Sequence, residues 1–179
     1  MKRLTILIIS HSHEQYLKNL LSDLNNYSNF ISKIVILHNI LPKEKIDLPK
    51  KIKKKIIIRF NKKPMGLSKN INKLLGYCKT ELVAIINPDI RIKKNIFNTI
   101  TNIFKTDKKL ALVSPTILDE EGNVQDTKRS YPSIINLIKR EIFEIKEKNN
   151  GEDWLAGMFS VFRTNVLKKI NKPRTGKQR

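Results

Sequence analysis

Short apolar runs alternate with helix-like apolar stripes along most of this chain, and that alternation limits the folds it can adopt. Residues 4–9 form a near-continuous apolar run, which is typical of a strand covered on both faces. Leu17, Leu20, Leu21 and Leu24 then follow at the spacing of an amphipathic helix. Strands that alternate with helices predict a mostly parallel sheet with right-handed crossovers. We therefore expect an α/β fold.

The same two patterns repeat further along the chain. More strands are predicted at residues 34–37, 56–58, 82–86 and 111–113. The apolar faces of two more helices are predicted from Leu67, Ile71, Leu74, Leu75 and Cys78, and from Ile96, Phe97, Ile100, Ile103 and Phe104. A last helix is expected from the isoleucines at 134, 138, 142 and 145.

The alternation stops after Pro115. Residues 116–118 and 124–125 flank a turn that contains Gly122, which predicts a hairpin. A strand is expected within residues 154–162. Residues 171–179 have no apolar side chain except proline, so we expect a single domain of residues 1–170 followed by a basic, disordered tail.

The charge of the chain points to an anionic partner. Its 36 Lys+Arg against 16 Asp+Glu give a formal net charge of +20. Such an excess attracts nucleic acid, acidic phospholipid or phosphorylated small molecules. A general bias towards Lys, Ile and Asn explains the excess equally well.

The single cysteine, Cys78, excludes an intrachain disulfide, favours a reducing cytoplasm, and is expected in the core. No run approaches the roughly 20 apolar residues of a membrane span.

Polar residues follow each of the first four predicted strands. They are Ser10-His11-Ser12, His38-Asn39, residues 61–66 and Asn87-Pro88-Asp89. In an open parallel sheet, ligands bind at the carboxyl ends of the strands, where these loops meet. A carboxylate such as Asp89 there suits a divalent cation, Mg²⁺ or Mn²⁺, shared with a substrate diphosphate. Asn-Pro-Asp is also an ordinary turn sequence.

Four segments in this order resemble the family 2 glycosyltransferases with the GT-A fold, in the branch that includes bacterial rhamnosyltransferases. The segments are residues 61–70, residues 82–89, residues 114–117 with 122–125, and residues 153–157, and the resemblance runs from Leu4 to Leu167. It implies a Rossmann-type, mostly parallel sheet flanked by helices, with a small hairpin after the metal-binding loop. Neither a glycine-rich dinucleotide fingerprint nor a P-loop pattern is present.

The resemblance also implies roles for individual residues. Asp89 would hold the metal as the catalytic residue, and Asn87 stands where many relatives have the first aspartate of the Asp-x-Asp motif. Trp154 and Gly157 would lie near the acceptor sugar, with Arg129 beside them to neutralise phosphate. The nucleotide-sugar and its phosphates would be bound by residues in and just after the loops that follow the first four strands: Ser10, His11, Asn39, Asn61, Gly66, Asn70 and Asn87.

By this resemblance the chain transfers a sugar, with inversion, from a UDP- or dTDP-sugar to a saccharide or lipid-linked acceptor in polysaccharide synthesis. We expect it in the cytoplasm, in peripheral contact with the inner membrane. Two features depart from the family. His38 stands where relatives have an aspartate that contacts the base, and residues 168–179 lack the acidic pair that supplies the base for the acceptor hydroxyl. A C-terminal truncation with poor transfer is therefore expected.

Other interpretations of the same residues remain open. The charge also suits a basic nucleic-acid-binding module, although aromatic residues are only 7% and no binding signature is present. An inactive, truncated remnant is a further alternative. His11 and His13 are spaced to share a metal, although no third ligand is evident and histidines are common in loops. Glu152-Asp153 is a candidate substitute base but suits a solvated acidic turn better, and Trp154 suits the core as well as the acceptor site.

Overall fold

The computed structural model describes residues 3–125, 128–129, 154–155 and 158–170. Short 3-10 turns at Ser28–Phe30 and Lys53–Lys55 precede the second and third strands. Within the described residues the elements, in chain order, are β1 (Leu4–Ser10), α1 (Glu14–Asn26), β2 (Ile31–His38), β3 (Ile56–Phe60), α2 (Leu67–Leu75), β4 (Leu82–Ile86), α3 (Ile96–Thr106), β5 (Leu112–Val113), β6 (Lys128–Arg129), β7 (Trp154–Leu155), β8 (Phe159–Arg163) and α4 (Thr164–Ile170).

Six of the strands form one sheet in the order β3-β2-β1-β4-β8-β5. The first four are parallel, and β8 lies antiparallel between β4 and β5. This confirms the predicted α/β architecture and its mostly parallel sheet. The strand expected within residues 154–162 is divided, because Trp154–Leu155 pairs with β6 in a separate two-stranded sheet.

The backbone divides into two compact units. One comprises residues 1–115 and 158–179, and the other residues 116–157. The second unit contains the predicted hairpin, which is confirmed by a bridge between Leu118 and Val124 and by the positive φ of 88° at Gly122. The expectation of a single domain over residues 1–170 stays a prediction.

One face of the sheet packs against α2 and α4. Leu7, Val35 and Val83 form a buried cluster with Leu74 of α2 and Leu167 of α4. Cys78 belongs to the same cluster and is 1% exposed, which confirms its predicted place in the core. Burial raises the pKa of the Cys78 thiol to about 11.

The helices α1 and α3 supply a second apolar layer. Leu17, Leu20, Leu21 and Leu24 are all fully buried, so the predicted stripe of α1 is confirmed. Each such leucine contributes about 1.5–3 kcal/mol to stability. Phe97 of α3 connects this layer to its neighbours through ring contacts with Tyr27, Phe30 and Phe159.

Two residues predicted on apolar helix faces are exposed instead. Ile103 is 38% exposed because it lies about a quarter turn away from the stripe formed by Phe97, Ile100 and Phe104. Leu67 is 58% exposed because it is the first residue of α2, one turn beyond the part of the helix that contacts the sheet. The helix predicted around Ile134–Ile145, the tail 171–179, Glu152-Asp153 and Gly157 lie outside the described residues.

Candidate functional site

The strand order places two of the polar loops side by side. The chain leaves β1 towards β2 and β3 and then returns to β4 on the other side of β1. This reversal is the topological switch point at which open α/β sheets bind ligands. The loop after Ser10 and the loop that begins at Asn87 follow the two strands at this point. The sheet therefore brings together the first and fourth predicted site segments.

The loop after β1 has a strained backbone. Ser12 has a positive φ of 61°, which a residue with a Cβ adopts at a cost of about 1–2 kcal/mol. Strain of this kind concentrates at functional sites. Ser10 is fully buried, its carbonyl accepts from the Asn39 amide at 2.7 Å, and its Oγ accepts from the His13 amide at 3.4 Å.

Three asparagines from different elements join their side chains at the ends of β2 and β3. The side-chain Nδ2 of Asn61 donates to Oδ1 of Asn39 and to Oδ1 of Asn70, both at 2.8 Å. Nδ2 of Asn70 donates to Asn39 Oδ1 at 3.1 Å and to the Met65 carbonyl at 3.0 Å. We call Asn39, Asn61 and Asn70 the asparagine triad. All three are at least nine-tenths buried.

The triad holds the loop that precedes α2. The Met65 amide donates to Asn39 Oδ1 at 2.8 Å, and the Met65 carbonyl accepts from Nδ2 of both Asn39 and Asn70 at 3.0 Å. Lys73 donates to Asn61 Oδ1 at 2.7 Å, and Asn39 Nδ2 lies 3.0 Å from Nδ1 of His11. An amide nitrogen is only a donor, so Nδ1 of His11 accepts this hydrogen bond.

The hydrogen bonds within the triad determine which of its donor groups remain for a ligand. Each side-chain amide carries two donor hydrogens, and the bonds above use both on every member of the triad. The triad therefore holds the loop through the Met65 backbone, and Lys62 and Lys63 of the same loop are exposed. The sequence predicts that Asn39, Asn61 and Asn70 contact the ligand; the structure shows their side chains joined to one another, and the ligand contact stays a prediction.

Gly66 is the N-cap residue of α2 and is exposed. Its φ of −64° is available to any residue, and a Cβ built there meets no atom within 4 Å. Neither backbone conformation nor protein packing requires a glycine at this position. The contact with the nucleotide-sugar that the resemblance implies for Gly66 stays a prediction.

The loop after β4 is fixed at two points around Asp89. Upstream, the Asn87 amide donates to the Met158 carbonyl at 2.8 Å. Downstream, Arg91 makes a bidentate ion pair with Asp23 of α1 at 2.8 and 2.9 Å, and the Ile92 amide donates to the same carboxylate at 2.9 Å. Asp89 itself is exposed, Asn87 is half-buried, and Pro88 between them is buried.

The Asp23 carboxylate is held in its charged form. Burial alone would raise its pKa, but the hydrogen bonds from Arg91 and from the Ile92 amide outweigh burial, so the pKa of Asp23 lies below its usual range. Its side chain is 13% exposed and that of Arg91 is 54% exposed. The pair connects α1 to the loop that carries Asp89.

His38 lies at the end of β2 beside an exposed aromatic ring. It is 4% exposed, and its ring stacks on Phe60 at 5.4 Å between centroids, with Phe60 half-exposed at the end of β3. In the described part of the chain, Nδ1 of His38 and Oε1 of Glu14 have no hydrogen-bond partner although both atoms are buried. Burial lowers the pKa of His38, and the nearby Glu14 carboxylate opposes this shift.

Two of the residues predicted to contact the acceptor lie in the second compact unit. Arg129 and Trp154 are register partners in the antiparallel pair of β6 and β7. The structure thus brings these two predicted residues together across one ladder. Gly157 lies outside the described residues.

Within the described residues, no group of three or more His, Cys, Asp or Glu side chains is arranged to hold a metal ion. Asp89 is a single exposed carboxylate, so it fits a cation whose other ligands come from a substrate or from water. The alternative of a shared metal at His11 and His13 gains no third ligand among the described side chains.

Comparison with protein families decides the classification. The model of the family described as glycosyl transferase family 2 matches residues 5–171. The chain belongs to glycosyl transferase family 2. A comparison with curated proteins finds no match.

Solved structures agree with the GT-A fold. Residues 1–349 of S. aureus TarS superpose with a TM-score of 0.63 and 14% identity, over 98% of this chain and 52% of that one. The mannosyltransferase PcManGT from Pyrobaculum calidifontis, in complex with GDP-Man and Mn²⁺, gives a TM-score of 0.58 and 13% identity, over 94% and 46%. A complex of TarS with UDP-GlcNAc gives 0.61 and 12%, over 94% and 47%. This family 2 chain therefore spans about half the length of these structures.

Several residues that shape the site escaped the sequence analysis. Lys73 lies one turn after Asn70 on α2, so helical spacing was a usable signal for its contact with the triad. The ion pair of Asp23 and Arg91 joins residues 68 positions apart, and no local pattern indicates it. The contribution of Met65 comes from its backbone, which no side-chain pattern reveals.

Proposed function

We propose that this chain binds a nucleotide-sugar at the carboxyl ends of β1 to β4 and presents it for inverting transfer to an acceptor hydroxyl. The observation that carries the proposal is the position of Asp89, exposed directly after β4 at the switch point of a glycosyl transferase family 2 sheet. Catalysis of this kind depends on stabilising the charge of the departing nucleoside diphosphate.

Asp89 would hold Mg²⁺ or Mn²⁺ together with the diphosphate, with Asn87 as the neighbouring polar group. A bound cation of this kind supplies Lewis-acid stabilisation of the leaving phosphate oxygens. The chain's own contribution is positional, because the ion pair of Arg91 with Asp23 fixes the loop in which Asp89 lies. The complex of the mannosyltransferase PcManGT with GDP-Man and Mn²⁺ supports this choice of cation.

The donor is proposed as a UDP- or dTDP-sugar, within a rhamnosyltransferase-like branch. The complexes of TarS with UDP and UDP-GlcNAc support a nucleotide-sugar, and the GDP-Man complex of the mannosyltransferase shows that similar folds differ in their base. Ser10 and His11 at the switch point, with Phe60 and His38 beside them, would form the surroundings of the base and ribose. The loop fixed by the triad would lie along the phosphates and sugar, with Gly66 at its end.

The acceptor is proposed as a saccharide chain or lipid-linked saccharide of polysaccharide synthesis. Trp154 with its register partner Arg129, and Gly157, would contact it, since an aromatic face stacks on a pyranose ring. A base must assist the attack of the hydroxyl, and its absence costs roughly 10²–10⁴ in rate.

We also propose that the chain works in the cytoplasm, in peripheral contact with an anionic membrane. The formal net charge of +20 supports that contact. Among the residues that the structure describes, no helix has both the length and the apolar character needed to cross a bilayer.

Calorimetric titration of the full chain with UDP-, dTDP- and GDP-sugars in the presence of Mn²⁺ tests the proposal. We expect one of these donors to bind, and we expect Asp89→Ala to lose the Mn²⁺-dependent part of the affinity. Asp47→Ala, which removes an exposed carboxylate from the connection between β2 and β3, is the matched control. Equal binding by wild type and Asp89→Ala would contradict the role of Asp89.

A further inference from the structure

We propose that the end of the sheet at which the parallel strands begin, away from Asp89, is a docking surface for an anionic phospholipid bilayer. We call this end, formed by the first residues of β1 to β4 and the loops before them, the basic edge. The inference rests on the membrane contact proposed above and is independent of sugar transfer. It assigns that contact to one face of the molecule.

The basic edge carries a compact group of lysines. Lys50, Lys51, Lys53 and Lys54 are exposed and lie just before β3, around its 3-10 turn. Because β3 starts here, this turn lies at the end of the sheet away from the ligand-binding loops. Four mobile, hydrated ammonium groups on one short segment suit a surface of phosphates and require no fixed geometry from it.

The segment beneath these lysines is held in place. Lys55, in the same turn, directs its Nζ inward to the carbonyls of Ser28 and Ile31, at 2.7 and 2.9 Å. The Lys51 amide donates to Asn25 Oδ1 at 3.0 Å, and Ile52 is fully buried. The exposed lysines therefore stand on an ordered support with a defined orientation.

Other cations lie along the same edge. Arg3 and Lys79 are exposed just before β1 and β4, whose first residues are register partners. Lys108 and Lys109 are exposed before β5, which runs parallel to β4 because both pair antiparallel with β8.

The acidic residues of this edge are engaged locally. Glu81 pairs with Arg163 at 2.9 Å, and Asp107 accepts from the amides of Lys109 and Leu110. Among the described residues, exposed cations thus lie at this edge before β1, β3, β4 and β5, and the densest group is the four lysines within residues 50–54. Exposed lysines also lie at the opposite edge, where they supply the matched control below. Each lysine near an anionic membrane contributes about 1 kcal/mol, or roughly a fivefold gain in binding.

The surface fits a bilayer better than single-stranded nucleic acid. Nucleic-acid grooves interleave cations with exposed aromatic rings on which bases stack. Among the described residues, the strongly exposed aromatics are Tyr16 and Phe60, at 56% and 50%. Both lie towards the other edge, Phe60 at the end of β3 and Tyr16 in the first turn of α1.

This orientation constrains the acceptor. A strand rises about 3.3 Å per residue, so the five residues of β4 separate the two edges by roughly 16 Å. With the basic edge on the lipid headgroups, Asp89 would face away from the membrane. The reacting hydroxyl would then belong to a saccharide long enough to reach over the sheet, or to a soluble acceptor.

Vesicle sedimentation of the full chain tests the assignment, without nucleotide or acceptor. Vesicles of phosphatidylcholine with about one third phosphatidylglycerol are compared with pure phosphatidylcholine. The test variant carries Lys50→Glu, Lys51→Glu, Lys53→Glu and Lys54→Glu. The matched control carries Lys62→Glu, Lys63→Glu, Lys93→Glu and Lys94→Glu, which makes the same change in net charge at the opposite edge among exposed lysines.

We expect wild type to bind the anionic vesicles alone, and to lose binding as salt is raised. The basic-edge variant should lose at least a hundredfold in partitioning, and the control less than about fivefold, because the surface potential decays within a Debye length. The corresponding Lys→Gln variant, with thermal melts of every protein, separates a docking effect from misfolding.

Three results would overturn the inference. One is no binding by wild type, which would also remove the proposed membrane contact. The second is an equal loss in the basic-edge variant and its control, which would leave membrane contact but deny it to this face. The third is saturating binding of an RNA oligonucleotide that displaces the chain from the vesicles. None of these outcomes bears on nucleotide-sugar binding, which the titrations measure separately.

Discussion

Asn61 donates its side-chain amide to Oδ1 of Asn39 over 2.8 Å, and the same oxygen also accepts from the Met65 amide and from Asn70. Asn39 is thus the acceptor on which the other two asparagines and the loop converge. Since all of these groups are buried or half-buried, removing Asn39 leaves several donors without a partner at once.

Replacing Asn39 should therefore destabilise the fold more than replacing Asn61. Each buried donor or acceptor left without a partner costs about 1–3 kcal/mol, so we expect about 2–4 kcal/mol for Asn39→Leu and about 1–3 kcal/mol for Asn61→Leu. Urea unfolding followed by circular dichroism measures both. Asn102→Leu, at an exposed position of α3, serves as the control and should stay within about 0.5 kcal/mol. Equal effects at all three positions would contradict the closed network.

A substitution at Ser12 is expected to increase the stability of the fold, in contrast to those in the triad. Its positive φ costs about 1–2 kcal/mol, whereas glycine adopts that conformation freely but loses more entropy on folding. We expect Ser12→Gly to stabilise the chain by about 0.5–1 kcal/mol. Ser22→Gly, at an exposed site inside α1, should destabilise it by about 0.5–1 kcal/mol. A loss of stability in Ser12→Gly would show that the loop has another backbone conformation in solution.

The buried ring of His38 predicts a dependence of stability on pH. Burial holds the pKa of His38 below the ordinary value of about 6.5. At pH values between the two, the His38 ring is protonated more in the unfolded chain than in the folded chain. The stabilising effect of the neutral ring is complete above that ordinary value. It is lost as the pH falls from there through the lower pKa of the folded state.

We therefore expect the free energy of unfolding to fall below pH 6.5 with a contribution from His38 of at most about 1.4 kcal/mol per pH unit. His38→Phe removes this contribution and keeps a ring against Phe60. Urea unfolding of both proteins between pH 5 and 8 measures the difference, and parallel pH profiles would contradict it.

The sheet was predictable from this sequence because burial on both faces imposes a simple pattern. Residues 82–86 coincide with β4, and the stripe of α1 is buried in full. The division of the segment 154–162 was not predictable, since a strand's partner depends on which sheet edge lies nearby. The predicted burial of Leu67, at the start of α2, was wrong for a related reason. Leu67 fits the apolar period of the helix but lies beyond the layer that would cover it.

The polar loops of the site were also predictable, as a consequence of strand order and of the family resemblance. What the sequence does not reveal is whether a polar side chain points outward or inward. Asn70 is on α2 and Asn39 on a strand end, and only the fold brings them within 3.1 Å. Long-range pairs such as Asp23 with Arg91 depend on how two elements pack, which no spacing along the chain encodes.

The ion pair of Asp23 with Arg91 supports a prediction that a substitution away from the ligand changes nucleotide-sugar binding. Asp23 fixes the loop of Asp89 through Arg91 and the Ile92 amide, although it lies on α1 and would contact no ligand. If Asp23→Ala leaves the loop in its binding conformation about a tenth of the time, the apparent affinity falls about tenfold. We expect a loss of this size in the Mn²⁺-dependent titration of the preferred donor.

The matched control is Ser22→Ala, the neighbouring exposed residue of α1, which should bind like wild type. Asp23→Asn discriminates further, because it keeps an acceptor for the Ile92 amide but loses the charge that pairs with Arg91. We expect its affinity to lie between those of Asp23→Ala and wild type. Unchanged affinity in Asp23→Ala would mean that the loop carrying Asp89 is fixed by the contact of Asn87 with Met158 alone, since the ion pair would then add nothing to its position.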